Sequence, residues 1–159
     1  MDTLNTLNKK GSDRMTVKDY LSQLQDLEEN ICEQKEYIDT IRSSLTSVGG
    51  LEMNPDKVQS SSVNKDKFAN VVAKVIDEEE KLKRMEAKHC LLKVQIAEQI
   101  HQMDNLLLKK LLKLKYLEWK RYGTIRKVAD ELGYSYDYTK ELHRDALSAF
   151  GRMFIPHTP

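Results

Sequence analysis

Cysteine is scarce: two in 159 residues, Cys32 and Cys90. That excludes a disulfide framework, and with no secretory signal it leads to an expectation of a reducing cytoplasmic setting. His89 and Cys90, with the distant Cys32, His101 and His143, lack metal-ligand spacing, so neither a metal nor any other cofactor is expected. Apolar runs are only a few residues long, against the roughly 20 that span a bilayer, so no membrane segment is expected. Aromatic residues make up 7% of the chain and glycines number six. No phosphate-cradling glycine loop, nucleophile elbow or carboxylate pair in a marked cleft can be found, and the chain is not expected to be an enzyme.

What is abundant favours helix. The chain is 40% hydrophobic and 32% charged, rich in Lys, Glu and Leu, which predicts an all-α fold. Thr16 and Asp19 form a capping box, with Met15 placed to staple onto Tyr20, so a helix should start at Val17. From there a seven-residue period puts Val17, Leu24, Ile31, Ile38 and Leu45 on one seam position. Tyr20, Leu27, Gln34, Ile41 and Val48 take the other. Gly49 and Gly50 end this helix, and residues 49–64, with an Asn-Pro and three serines, read as a loop. A second helix is expected from near Asn64. Its weaker seam takes Phe68, Val75, Leu82, His89, Ile96 and Met103, interleaved with Val71, Glu78, Met85, Leu92, Gln99 and Leu106. The two predict an antiparallel coiled-coil hairpin whose longer arm overhangs, so self-association is expected. Asp104 or Asn105 caps a new helix, or the second helix runs on into LLLKKLLKLKYLEWKRY; both stay open. There Leu107, Leu111, Leu114 and Leu117 form a stripe, with Leu108, Leu112 and Trp119 beside it.

The most specific stretch is TIRKVADELGYSYDYTKELHRDALSAF, Thr124 to Phe150. Thr124 caps a short helix with Ile125, Val128, Ala129 and Leu132 facing inward. Gly133 suits a left-handed turn, and Ser135 caps the next helix. Ala129 is small enough for two helices to cross closely, and Thr139 and Leu142 supply the second inward face. Gly151 stops the last helix, and FIPHTP has no period. The chain thus divides into a disordered lead over 1–15, a coiled-coil hairpin over 16–105, a helix-turn-helix domain over 106–152 and an irregular tail over 153–159.

From Thr124 to Leu147, with its Thr cap, Val-Ala pair, Ser cap and LHRDAL, the sequence resembles the helix-turn-helix of region 4 of sigma-70-type factors. Lys110 to Tyr122 fits the preceding helix of that module. The resemblance covers the last third, and nothing upstream looks like the rest of a sigma factor. The layout is similar to phage late-gene transcription regulators of the ArpU and RinA type. The resemblance implies double-stranded DNA as partner, an activating role and contact with RNA polymerase.

If Ser135 is the cap, Tyr136, Asp137, Lys140, Glu141 and Arg144 point away from the core on the helix such modules place in the major groove, which makes them the base-reading candidates. Sigma modules use arginine and glutamine here, so a different target is expected. Asp137 equally suits a role that only complements the helix dipole. Lys120, Arg121, Arg126 and Lys127 flank the Tyr122-Gly123 corner and, with Ser135, take the DNA-backbone role. Charge supports this: residues 1–100 carry 15 Lys+Arg against 18 Asp+Glu, a net of −3, and residues 101–159 carry 11 against 7, a net of +4. Lys109, Lys110, Lys113, Lys115, Lys120, Arg121, Arg126 and Lys127 stand against Glu118 alone. The expectation is a sequence-specific DNA-binding transcription regulator that oligomerises through its coiled coil. The alternatives are a phage small terminase subunit, which also joins DNA-binding helices to an oligomerising hairpin, and a coiled-coil interaction adaptor.

Overall fold

The computed structural model describes residues 15–49 and 61–155. The expected lead up to residue 14, most of the expected loop and residues 156–159 lie outside them. The described residues are all-helical, in the order α1 (Val17–Gly49), α2 (Ser61–His101), α3 (Leu106–Leu112), a π-helical segment (Lys113–Leu117), α4 (Trp119–Tyr122), α5 (Ile125–Leu132) and α6 (Tyr136–Phe154). Two compact units result. One runs from Leu24 to Glu98; the other joins the residues up to Gln23 with those from Gln99 onward. The division cuts inside both long helices, whereas the sequence pattern changes at 105/106.

In the first unit the two long helices pair in opposite directions. Glu28 lies opposite His89, Gln34 opposite Glu78 and Arg42 opposite Glu79. Apolar seam residues Leu24, Ile31, Ile38, Val75 and Ile96 are buried, while Leu27, Ile41, Leu82, Met85 and Leu92 are half-buried. Polar seam residues answer each other: the Gln34 amide donates to the Glu78 carboxylate at 2.7 Å and to its carbonyl at 3.3 Å. A buried amide that must meet one partner sets a register that apolar contacts alone leave loose. Lys35 pairs with Glu86 at 2.8 Å along the same flank.

The second unit begins where α1 does. Thr16 and Asp19 cap each other reciprocally: the Asp19 amide donates to the Thr16 hydroxyl at 3.1 Å, and the Thr16 amide to the Asp19 carboxylate at 3.0 Å. Met15 is exposed, and its sulfur accepts from the Gln23 amide at 2.8 Å, so the expected staple onto Tyr20 is replaced by a polar contact. The Tyr20 hydroxyl donates to Gln99 at 2.9 Å, and its ring lies 6.2 Å from that of Phe150. α2 does not run on. It ends at His101, and Asn105 caps α3 by accepting from the amides of Leu107 (3.0 Å) and Leu108 (3.1 Å). Leu111, Leu112, Val128, Ala146, Phe150 and Thr139 have no exposed surface. They are the core that fixes α3, α5 and α6.

Two expectations at helix ends are corrected. α2 starts at Ser61 and not near Asn64, since serines outside a turn are tolerated in a first helical turn. Gly151 does not stop α6, which continues to Phe154. The glycine is buried, and a Cβ there would come within 2.8 Å of the Val17 side chain. Its missing side chain serves close approach to α1 and not termination.

Candidate functional site

The site is built on the corner between α5 and α6. The Thr124 hydroxyl accepts from the Lys127 amide at 3.3 Å and starts α5. Gly133, at φ 73°, takes the left-handed conformation, so that Tyr134 N–H reaches the Ala129 carbonyl at 3.1 Å and Gly133 N–H the Asp130 carbonyl at 3.4 Å. These two bonds close α5. The Ser135 hydroxyl then accepts from the Tyr138 amide at 3.3 Å, and its carbonyl accepts from the Thr139 hydroxyl at 2.9 Å. Ser135, expected at the DNA backbone, is engaged as a cap. The corner is therefore three residues long, with the end of α5 and the start of α6 both closed by hydrogen bonds.

That corner decides which way α6 faces. Thr139, Leu142, Ala146 and Phe150 are buried on one side. Tyr136, Asp137, Lys140, Glu141 and Arg144 are all exposed, within an arc of roughly 140° at 100° per residue. All five sequence candidates thus share one face. Of the backbone candidates, Lys120, Arg121, Arg126 and Lys127 are exposed too. The Arg126 guanidinium lies 5.8 Å from the Tyr136 ring, which joins the start of α5 to the start of α6 and brings the two candidate sets together. Arg121 lies over Tyr122 at 5.0 Å and Lys120 over Trp119 at 6.0 Å. Tyr134 and Tyr138 are both exposed and pack edge to face at 5.2 Å, so neither lies in the core.

The basic cluster is smaller than the sequence suggests. Lys115 turns inward and donates to the Gly123 carbonyl at 2.5 Å, tying the π-helical segment to the turn between α4 and α5. Burial, with repulsion from Lys18, lowers its pKa. Lys113 pairs with Glu118 at 3.7 Å. Against these losses stands a gain that the sequence does not signal. A groove of about 580 Å³ runs along the exposed face of α6, lined by Asp137, Lys140, Glu141, His143, Arg144 and Leu147, and its far wall is Lys18 from the first turn of α1. Lys18 lies more than a hundred residues from α6, and no local pattern could connect them.

In the groove lining His143 is half-buried. Desolvation first, then the positive charges of Lys115 and Lys18, push its pKa down to about 4. The imidazole is therefore neutral at pH 7, and Nε2 lies 3.0 Å from the Tyr116 hydroxyl. Burial in turn raises the phenol of Tyr116 to about 12, so the phenol donates and the imidazole accepts. The pair locks α6 to the π-helical segment.

Among the described residues no three His, Cys, Asp or Glu side chains are grouped as metal ligands, and no helix is long and apolar enough to cross a membrane. The arrangement offers an exposed helical face of mixed charge, edged by cations and set by a hydrogen-bonded corner. Comparison of the chain with family models, with characterised proteins and with solved structures found no match.

Proposed function

We propose that this chain is a sequence-specific DNA-binding transcription regulator, of the phage late-gene kind that its sequence resembles. In this reading α5 and α6 form a helix-turn-helix, and α6 enters the major groove. α1 and α2 form the coiled-coil hairpin through which the protein oligomerises. The observation that carries this reading is the common exposure of Tyr136, Asp137, Lys140, Glu141 and Arg144 on one face of α6, directly after a fully capped three-residue corner. In the groove, Lys140 and Arg144 donate to guanine or phosphate, and Asp137 and Glu141 accept from cytosine. Arg121, Arg126 and Lys127 meet the sugar-phosphate backbone and set affinity without sequence preference. The likeness to sigma factors adds a contact with RNA polymerase to the proposal.

The test is equilibrium binding to promoter-proximal DNA from the protein's own genome and to scrambled DNA, at two salt concentrations. Specific binding with a steep salt slope is expected. Lys140→Ala should lower discrimination by about 1–3 kcal/mol per lost base contact, whereas Lys127→Ala should weaken both DNAs alike and reduce the salt slope by about 1. Lys127 is the cleaner backbone probe because Arg126 also lies over Tyr136. Equal effects of both variants on specific and random DNA would overturn the assignment. A large ring without preference among fragments would identify a packaging subunit instead.

A further inference from the structure

α2 has a front and a back. The front meets α1 through Glu78, Glu86 and His89 and buries Val75 and Ile96. Roughly 180° round the helix runs a second stripe: Ala69, Ala73, Ile76, Glu80, Lys83, Ala87, Cys90 and Val94, all exposed. Their spacings alternate four and three, which is again the seven-residue period of a helix seam. Ile76 is 52% exposed and Val94 51%, with Leu91 beside them at 72%. Two exposed apolar ends, with Glu80 and Lys83 between them, mark this stripe as a contact surface.

The stripe also specifies its occupant, because it is complementary to its own reverse. We propose that the back of α2 pairs antiparallel with the back of α2 in a second copy of the chain, about a two-fold axis passing between Lys81 and Leu82. In that register Ala69 faces Val94, Ala73 faces Cys90, Ile76 faces Ala87 and Glu80 faces Lys83, each pair occurring twice. Every apolar layer sets an alanine against an equal or larger residue, so the backbones approach closely and the layers interlock. The flanking residues Asp77 and Arg84 also meet with opposite charge. On the other flank Glu79 and Glu86 come together, but each is already neutralised from α1, by Arg42 and Lys35. A parallel pairing in register would instead oppose Glu80 to Glu80 and Lys83 to Lys83. The seam spans about 38 Å at about 1.5 Å per residue. It supplies the oligomer of the proposed regulator with its interface, and it does not depend on DNA binding.

Light scattering on the full chain, with circular dichroism to confirm helix content, tests the pairing. Wild type should be a dimer. Lys83→Glu should weaken dimerisation at least tenfold, and Glu80→Lys combined with Lys83→Glu should restore it. In a Cys32→Ser background, Ala73→Cys should form an interchain disulfide with Cys90 under mild oxidation, while Cys90 alone should not cross-link. A monomer at all concentrations, a dimer indifferent to Lys83→Glu, or efficient Cys90–Cys90 cross-linking would overturn the proposal. A dimer that behaves as stated yet binds no DNA would refute the proposed function and leave the interface standing.

Discussion

The two units make a core from the same kind of helix with different success. In the C-terminal unit Leu111, Leu112, Val128, Thr139, Ala146 and Phe150 are wholly enclosed. In the unit from Leu24 to Glu98 the seam residues Leu27, Ile41, Leu82, Met85 and Leu92 stay half-exposed. The reason is geometric. Two helices side by side cover each seam residue from one direction only, whereas short helices crossing at angles close over a side chain from several. Stability and specificity therefore rest on different things in the two units. The C-terminal one relies on apolar enclosure, the paired one on matched polar contacts across a partly exposed seam.

Truncation is the sharpest way to break that contrast. Phe150→Ala removes a fully buried ring that touches Tyr20 and Phe154, and should cost about 3–5 kcal/mol. Leu82→Ala, in the half-exposed seam, should cost well under half as much, because part of that side chain never left water. Chemical denaturation, followed by Trp119 fluorescence for the first and by helix content for the second, would show it. Equal losses would mean that the paired helices are as well enclosed as the C-terminal cluster.

A pH titration through the His143 window comes next in size, and there it reads the C-terminal unit. His143 is held neutral in the fold, with its pKa near 4 against an ordinary value of 6.5. The unfolded chain takes up the proton first as pH falls. The stabilisation is therefore complete above pH 6.5 and is lost between 6.5 and about 4. A shift of that size corresponds to about 3 kcal/mol, which partial exposure of the ring reduces to about 1–2. His143→Gln keeps an acceptor for the Tyr116 hydroxyl and should flatten the dependence of the melting temperature over that window. An unchanged slope would place the acid-labile group elsewhere.

How much of this could be foreseen follows from the range of each signal. Thr124, Gly133 and Ser135 act within four residues of themselves, so the corner and both helix starts were legible, and with them the exposed face of α6. The seven-residue period likewise put Gln34 and Glu78 on the two seams, while their pairing came only from the structure. Contacts between distant segments left no trace. Leu21 lies off the seam stripe yet is fully buried, Gly151 carries a stop signal yet serves a close approach to Val17, and Lys18 joins the groove from the far end of the chain. The π-helical segment at Lys113–Leu117 turns Tyr116 inward, against a leucine stripe that reads as plain α-helix. In each case the deciding partner is a residue that no window of the sequence contains.

The smallest effect bears most directly on the paired helices. The Gln34 amide, first among several causes, holds the Glu78 carboxyl below its ordinary 4.5. A depressed carboxyl stabilises the fold above that value and ceases to do so as pH falls through its folded pKa. Gln34→Leu deletes the donor but adds apolar contact, and Glu78 still has Lys81 at 3.6 Å, so at pH 7 the melting temperature should move less than in either experiment above. Once pH has fallen below the folded pKa of Glu78 the variant should match or exceed wild type, since the amide then holds a neutral carboxyl and no longer a charge. What the leucine should remove is the single register: without a polar partner to find, the seam can slide by a heptad at little cost. Cysteines placed at Ile38 and Val75 for cross-linking, against pairs one heptad out, would read this. A variant that keeps one register throughout would show that the salt bridges of Lys35 and Arg42 are enough to align the helices.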